Sequence, residues 1–451
     1  MMRGRNRRDF IKQCCVLGAA SAASAHIGRL GLAANLAAQT NPFKALVCVF
    51  LFGGNDANNM IVPIDSTRYN LYRSMRGAVA LDRAAVEARS LGASGYGLHP
   101  SLANMRQLYN QGLGAAVFNV GTLVRPTTKA DLLNGNAQLP RNLYSHSDQT
   151  QQWQSSDPIG GTTGWGGRAN DIVAAMNTGT LAPGITVSGG NSLFLSGPNT
   201  QGMNVANLDS FGLEYFGDGS AMSARIGSLQ RLLTFDSGIK LVGAANGVLD
   251  GAVRTAQEVN AILSSSPTPP VPFPNSSLGR QLEQATRLLS VQSQLGLSRQ
   301  LFFAGMGGFD NHEDLLTNHA TLMQTLDASI GAFFQNLEQM GLANSVTLFT
   351  ESEFSRTGDA NSNVGTDHAW GSHHMVFGGA VVEGTYGTFP THQLRGPDDA
   401  GDRGYWIPTT ALDQYAATLA AWYGVPTASL PSVFPNLANW SADKHTLGFL
   451  A

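Results

Sequence analysis

Continuous apolar runs that stop at glycine or polar residues constrain the fold of this chain more than any other feature. The first run, Ala45–Phe52, is apolar throughout and stops at Gly53-Gly54-Asn55-Asp56. Further runs, apolar except for Asn119 and Thr347, are Ala115–Val120, Leu301–Ala304, Val346–Phe349 and Met375–Phe377. A short apolar run without alternation is typical of a strand that is buried on both faces. The runs therefore predict buried strands, as in a parallel sheet.

Segments with helical periodicity alternate with these runs. The longest, Leu315–Met340, repeats its apolar residues at helical spacing and stops at Gly341. The others are Leu102–Gln111, Asp148–Gln154, Leu278–Leu295 and Asp413–Tyr423. Alternating strands and helices predict an α/β fold with a mostly parallel sheet and helices on both faces. We interpret Trp165–Asn199 and Phe211–Gly247 as loop or cap insertions.

The Pro- and Ser-rich segment Ser264–Ser277 leaves two domain arrangements open. As a linker it would divide the chain near its middle, whereas as a surface crossover loop it would lie within one domain. Strands with polar ends are predicted on both sides of the segment. This favours a single domain that extends from residue 41 to residue 451.

The N-terminus has the features of a twin-arginine export signal. Arg7-Arg8 precedes an apolar pair, and a weakly hydrophobic stretch from Val16 to Ala25 follows. We assign residues 1–38 to the signal, with cleavage near residue 25 or residue 38, and expect a periplasmic or extracellular protein exported by the twin-arginine route. A basic N-terminal extension is the alternative. No apolar run approaches the ~20 residues of a membrane span, so no transmembrane anchor is expected.

Charge and cysteine content narrow the class of protein further. The formal net charge is −3 and 13% of the residues are charged, so no basic field indicates binding to nucleic acid. Cys48 is the one cysteine outside the signal, and it lies within the first apolar run. We expect it in the core, without a disulfide.

Acidic residues and histidines follow the predicted strands, at the end where parallel sheets bind ligands. Asp56 follows the first strand, Asp310 and His312 the third, and Glu353 the fourth. In an extended turn, Asp310 and His312 would face the same way and could share a metal ion. Each residue alone could equally be a turn or helix-capping residue. Their common placement favours one metal or acid–base site, with His319 as a partner or a surface residue.

Ser145-His146 precedes a polar helix, and the positive end of a helix favours an attacking oxyanion or an anionic substrate. Ser145 and Asp148 also fit an ordinary capping box, so both interpretations stay open. Arg356 could hold an anion or pair with Glu353. The sequence contains no nucleophile elbow, dinucleotide fingerprint or P-loop.

Motifs along nearly the whole chain resemble those of the exported bacterial proteins grouped as domain of unknown function 1501 (DUF1501). They are the twin-arginine start, Phe52–Asp56 with Pro63, Ser145-His146, Gly308–His312, Ser352–Arg356, Gly365–His368 and a closing helix from Tyr415 to Gly424. The family looks like a branch of the alkaline phosphatase and sulfatase superfamily. The resemblance implies a doubly wound, alkaline phosphatase-like sheet with metal ligands on the loops after its strands.

The resemblance also implies site residues. The metal ligands would be Asp56, Asp310, His312, Glu353, Asp367 and His368, and the ions would be one or two divalent cations of zinc, manganese, calcium or magnesium. The catalytic residues would be Ser145, His146 and Arg356. The chain departs from the superfamily pattern at Phe354, where a histidine is expected, and in the short spacing of Asp310 and His312.

The expected function is that of an exported metal-dependent hydrolase of phosphate or sulfate esters, with a small-molecule or polymer substrate. Ser145 or a water molecule would attack the ester while the metal polarises it. The alternative is a non-catalytic exported scaffold or binding protein with a degenerate hydrolase site. Members of the family often occur beside proteins of domain of unknown function 1800 (DUF1800), so a DUF1800-family protein is the candidate partner.

Overall fold

The computed structural model describes residues 42–211, 219–236, 238–264 and 268–451. The predicted twin-arginine signal at residues 1–38, with both cleavage positions, lies outside the described residues. None of the helices in the described ranges is long and apolar enough to cross a membrane.

Eleven strands lie within the described residues, and nine of them form one mixed sheet. The strands are β1 (Lys44–Leu51), β2 (Ile61–Pro63), β3 (Tyr96–Leu98), β4 (Gly114–Gly121), β5 (Gly184–Thr186), β6 (Met203–Asn204), β7 (Arg299–Met306), β8 (Val346–Glu351), β9 (Ser372–Phe377), β10 (Gly384–Tyr386) and β11 (Thr410–Ala411). The sheet has the order β10-β4-β9-β8-β1-β7-β5-β6, and β11 pairs with β4. β2 and β3 form a separate antiparallel pair.

β1 lies in the interior of the sheet, parallel to β7 on one side and to β8 on the other. β9 runs antiparallel to both of its neighbours, β4 and β8. Every residue of β1 after Lys44 is buried, which explains why the first apolar run shows no alternation. The prediction of an α/β fold with a mostly parallel sheet is confirmed.

Helices cover the sheet and form its connections. The described helices are α1 (Ala57–Met60), α2 (Ser66–Arg76), α3 (Arg83–Glu87), α4 (Ala103–Leu108), α5 (Lys129–Leu133), α6 (His146–Ser155), α7 (Trp165–Val173), α8 (Ser220–Leu233), α9 (Lys240–Ser264), α10 (Ser277–Ser290), α11 (Leu315–Gln339), α12 (Leu412–Tyr423) and α13 (Leu430–Val433). The helix expected over Leu102–Gln111 ends at Leu108, because the chain passes into a π turn in which Gly112 has a φ of 81°.

The two faces of β1 belong to two separate hydrophobic cores. Val47 and Val49 contribute to the core that contains apolar residues of α10 and α11. Cys48 and Phe50 contribute to the core that contains apolar residues of α7 and α12. Alternate side chains of one strand thus pack under helices on opposite faces, as the sequence predicted.

Segments 211–247 and 264–277, which the sequence left without assigned strands or helices, connect elements of the fold as follows. Part of the predicted insertion at 211–247 is helical, namely α8 and the start of α9. Glycines at positions 227, 243 and 247 weaken the helical pattern of this stretch, so it was not predicted as helix. β1, which precedes segment 264–277 in the chain, and β7, which follows it, are neighbours in one sheet.

Candidate metal centre

Three segments at the carboxyl edge of the sheet bring polar side chains together. Asp310 and His312 lie in the loop after β7. His368 lies in the long loop between β8 and β9, and His146 is the first residue of α6. Because β1, β7 and β8 are parallel neighbours, the loops that follow them meet at one edge. We call His146, His312, His368 and Asp310 the His–Asp cluster.

The imidazole Nε2 atoms of the cluster converge on one carboxylate oxygen, Asp310 Oδ1. This oxygen lies 3.4 Å from His146 Nε2, 3.0 Å from His312 Nε2 and 3.4 Å from His368 Nε2. His368 Nε2 is also 3.1 Å from His146 Nε2 and 3.2 Å from His312 Nε2. Donor atoms of His146, Asp310 and His368 all lie within 4.8 Å of one another, close enough to share a metal ion.

Each imidazole of the cluster is held through its other nitrogen. His146 Nδ1 lies 2.8 Å from Glu353 Oε1, His312 Nδ1 lies 3.1 Å from Asp367 Oδ1, and His368 Nδ1 lies 2.8 Å from Tyr144 O. A carbonyl oxygen can only accept a hydrogen bond, so His368 carries its proton on Nδ1, and the two carboxylates favour the same tautomer in their partners. The three Nε2 lone pairs therefore face the centre of the cluster.

The geometry of the cluster fits a metal ion of the zinc type. Lone pairs that face one another repel unless a cation or a proton lies between them. Ligand atoms around a tetrahedral zinc ion are about 3.3 Å apart, which agrees with the 3.1 Å between His146 Nε2 and His368 Nε2 and with the 3.4 Å from each of them to Asp310 Oδ1. The two imidazoles and one carboxylate that can share an ion favour zinc over calcium and magnesium, which prefer oxygen ligands.

Glu353 and Asp367, which were predicted as metal ligands, lie one hydrogen bond behind the imidazoles. Glu353 is 2% exposed, and its Oε1 accepts the Gly53 N–H at 2.7 Å as well as His146. Asp367 Oδ2 accepts from Arg403 at 2.6 Å. Partners in this position orient metal-binding imidazoles and raise their basicity. The structure thus places both carboxylates in the second layer of the site.

The backbone of Tyr144 is arranged to hold His368. Tyr144 has a φ of 74°, in the left-handed region that residues other than glycine rarely adopt. In this conformation its carbonyl oxygen accepts the His368 hydrogen bond, while its N–H donates to Gln149 Oε1 at 2.9 Å. Unfavourable backbone conformations tend to be retained at functional sites, which supports a positioning role here.

Phe354, which stands where a histidine was expected, lies buried against two rings of the cluster. Its ring is stacked on His368 at a centroid distance of 4.7 Å and lies 4.8 Å from the ring of His146. A Cβ atom added at Gly54 would lie 2.3 Å from the Phe354 ring, and Gly54 has a φ of 76°, so this position requires glycine. Phe354 supports two imidazoles and offers no ligand atom.

Arg356 is fully buried, and its donors go to protein atoms. Nε donates to Gly54 O at 3.0 Å, Nη1 donates to Thr366 O at 3.1 Å, and Nη2 contacts Asp310 Oδ1. The ion pair is therefore with Asp310, and not with Glu353 as considered from the sequence. Burial acts to raise the pKa of Asp310, but the hydrogen bond and charge of Arg356 outweigh it, and the pKa lies below its ordinary value. Arg356 holds Asp310 in place and is not exposed to a substrate.

Asp56 is not brought to the cluster, which corrects the expectation that it is a metal ligand. Its Oδ1 accepts the Asn59 N–H at 3.3 Å, as the N-cap of α1. Its Oδ2 forms an ion pair with Arg76, and both side chains are buried. With both oxygens engaged, Asp56 has a structural role as a helix cap and an ion-pair partner.

Ser145 forms the helix cap that was one of its two sequence interpretations. It is the N-cap of α6, and its hydroxyl donates to Asp148 Oδ2 at 2.7 Å. The next residue, His146, directs its ring into the cluster. The structure thus places His146, which was predicted to be catalytic, among the candidate ligands.

The pKa values within the cluster follow from its local contacts. The hydrogen bond to Glu353 raises the pKa of His146, and the charges of Glu353 and Asp310 add to this effect. Burial lowers the pKa of His368, which is therefore neutral near pH 7, as a metal ligand must be. Burial acts to raise the pKa of Asp367, but the hydrogen bond from Arg403 contributes to a net lowering.

An open cleft of about 450 Å³ borders the cluster. It is lined by Tyr144, His312, Asp367, His368, Ala400, Gly401 and Tyr405. The rings of Tyr144 and Tyr405 lie 5.5 Å apart. Tyr405 and the nearby Arg403 were not predicted from the sequence, because they lie in a loop that carries no motif. The cleft gives a ligand direct access to His312 and His368.

Comparison with protein families places the chain in a group without an assigned activity. A family model described as protein of unknown function (DUF1501) matches residues 43–398. No curated protein shows significant similarity to the chain.

Several solved structures are similar to the chain at low sequence identity. Ps i-CgsB is 11% identical with a TM-score of 0.35, over 88% of this chain and 77% of that one. The PsFucS1 sulfatase from Pseudoalteromonas sp. is 8% identical with a TM-score of 0.34, over 94% and 76%. A mutant of the alkaline phosphatase PafA is 12% identical with a TM-score of 0.24, over 70% and 64%. At these scores no functional residue is carried over.

Proposed function

We propose, for a chain that belongs to the DUF1501 family, that the His–Asp cluster binds one divalent metal ion and that the protein hydrolyses phosphate or sulfate esters in the adjoining cleft. The observation that carries the proposal is the convergence of three imidazole Nε2 atoms on Asp310 Oδ1 at 3.0–3.4 Å. A bound cation would supply Lewis-acid polarisation of a substrate oxygen.

The residues around the cluster have holding and orienting roles in this proposal. Glu353, Asp367 and the Tyr144 carbonyl fix the three rings, and Arg356 fixes Asp310. Arg403, which pairs with Asp367 and is partly exposed, provides a cation near the cleft for an anionic substrate group. We assign the attack on the ester to water from the open cleft, because the Ser145 hydroxyl already donates a hydrogen bond to Asp148.

Hydrolysis of p-nitrophenyl phosphate, bis(p-nitrophenyl) phosphate and p-nitrophenyl sulfate tests this function. Turnover should be lost on chelation, return on addition of zinc or manganese, and be absent from His368→Ala. Ser145→Ala should retain turnover, since its hydroxyl has a capping role. Equal turnover by the wild type and His368→Ala would contradict the proposed site, and loss of turnover in Ser145→Ala would contradict attack by water.

A second candidate function is metal binding without turnover, as in an exported scaffold or binding protein. Two features favour it. Phe354 stands where the superfamily has a ligand, and the donors of Arg356 are engaged by protein atoms. Stoichiometric metal together with no hydrolysis of any of the three esters would support this candidate over the hydrolase.

The export route, the location and the partner are further proposals that rest on the sequence. Replacement of Arg7 and Arg8 by lysine should leave the uncleaved precursor in the cytoplasm if the twin-arginine route exports the protein. Export that is unchanged in this variant would contradict the route. A DUF1800-family partner should co-purify with the full chain from the compartment to which it is exported, and consistent absence from the purified fraction would contradict the pairing.

A further inference from the structure

The hairpin formed by α8 and α9 concentrates exposed apolar side chains at one end. Five of the eleven exposed large hydrophobic residues in the described part of the chain lie between positions 232 and 242. They are Leu232, Phe235, Ile239, Leu241 and Val242, with exposed fractions of 67%, 68%, 59%, 80% and 37%. We call residues 231–236 and 238–242 the hairpin tip. An apolar group of this size on a protein surface indicates an interaction site.

The hairpin stands away from the protein core. No described side chain of α8 is buried, and burial within α9 begins only at Ala252. Asn246 Nδ2 donates to Leu232 O at 3.5 Å, so the start of α9 lies beside the end of α8. The apolar residues therefore gather at the free end of a projecting helical pair.

Cationic side chains surround the apolar residues of the tip. Arg231 and Lys240 are exposed, one at the end of α8 and one at the start of α9. Asp236 is the one acidic residue between positions 219 and 249. Positions 219–249 hold three Lys or Arg residues and one acidic residue, a formal charge of +2, on a chain whose formal net charge is −3. This local charge is complementary to an anionic surface.

We propose that the hairpin tip docks onto an anionic lipid surface, with its apolar side chains in the acyl boundary and its cations at the headgroups. Elements with exposed Phe and Leu beside Lys and Arg bind membrane interfaces in this way. The free end of a two-helix hairpin is narrow and convex. A fluid bilayer can enclose a convex tip, whereas an identical convex tip on a second copy cannot bury it with good shape complementarity. The proposal is independent of the metal site and of its activity.

Co-sedimentation of the full chain with vesicles tests the docking. The probes are vesicles of equimolar phosphatidylcholine and phosphatidylglycerol, and vesicles of phosphatidylcholine alone. The combined variant Leu232→Ser, Phe235→Ser and Leu241→Ser should bind anionic vesicles at least about tenfold more weakly than the wild type. The matched control Leu71→Ser, Leu133→Ser and Val382→Ser changes exposed apolar residues in α2, in α5 and in the loop before β10, and it should bind like the wild type.

Charge variants and size measurements complete the test. Arg231→Gln and Lys240→Gln should each weaken binding to anionic vesicles about fivefold, and the wild type should bind neutral vesicles poorly. Binding by the tip variant equal to that of the wild type would overturn the proposal, as would equal binding to both kinds of vesicle. Light scattering that shows a dimer dissociated by the tip variant, without vesicle binding, would assign the tip to a second copy instead.

Discussion

The histidines at the carboxyl edge of the sheet and those inside the protein differ in exposure and in the contacts of their ring nitrogens. His146, His312 and His368 are partly exposed, and each is anchored at Nδ1 so that Nε2 faces the cluster. His373 and His374 are buried in β9, and burial lowers the pKa of each to about 3. His368 and His373 are close neighbours in sequence but differ in role. The role of each histidine therefore depends on the contacts of its ring nitrogens and not on its position in the sequence.

His368→Ala should have the largest effect on this contrast, because it removes a nitrogen that faces the proposed ion. We expect metal affinity to fall by more than about 100-fold, which exceeds the loss usual for an outer partner. Competition with a chelator of known affinity measures it. His373→Ala is the matched control, five residues away and buried, and it should retain full metal affinity. Equal affinities in the two variants would remove the distinction between the two groups of histidines.

His374→Ala should show the reverse behaviour, with lower stability and unchanged metal affinity. The ring is fully buried against Trp153 and Tyr415, so its removal leaves a cavity that should cost about 2–4 kcal/mol of unfolding free energy. Neither ring nitrogen has a hydrogen-bond partner among the described residues. His374→Phe should therefore recover most of the stability, because it fills the space without unpaired nitrogens. Urea denaturation with both variants checks this, and metal loss in His374→Ala would contradict it.

Glu353→Gln should weaken metal binding without abolishing it, because Glu353 acts through His146. The amide can still accept the Gly53 N–H, but it lacks the charge that strengthens the His146 ligand. We expect a 10–100-fold lower affinity, measured by the same competition, and a similar loss in Asp367→Asn. Loss of metal as complete as in His368→Ala would show instead that Glu353 is itself a ligand.

Glu351→Gln should change how the stability of the protein depends on pH, because Glu351 is a buried carboxyl group. Glu351 is the last residue of β8, and burial raises its pKa from 4.5 to about 8. The folded state therefore keeps a proton that the unfolded state releases, so the stabilising contribution is full below about pH 4.5 and is lost as pH rises towards 8. The wild type should lose up to about 1.4 kcal/mol per pH unit in this window relative to the variant. Parallel pH profiles of the two proteins in urea denaturation would contradict the assignment.

The sequence predicted the position of the site more closely than the role of each atom. The end of an apolar run locates the edge of a parallel sheet, and at this edge Asp310 and Glu353 both lie beside His146. Roles depend on loop paths that periodicity does not encode. The left-handed Tyr144 brings a carbonyl to His368, and the buried Arg76 draws Asp56 into a cap and an ion pair. Glu353 and Asp367 were predicted as metal ligands, but their oxygens form hydrogen bonds with the Nδ1 atoms of His146 and His312. They therefore orient the imidazoles.

X-ray absorption spectroscopy at the metal edge of the purified full chain tests directly whether the His–Asp cluster binds an ion. We predict one bound ion of the zinc type whose ligands include the imidazole nitrogens of His146 and His368 and a carboxylate oxygen of Asp310, at about 2.0–2.1 Å. His146→Ala and His368→Ala should each lower the number of imidazole ligands by one or prevent binding. A chain that binds no metal when zinc or manganese is supplied, or an ion whose ligands include at most one imidazole, would contradict it.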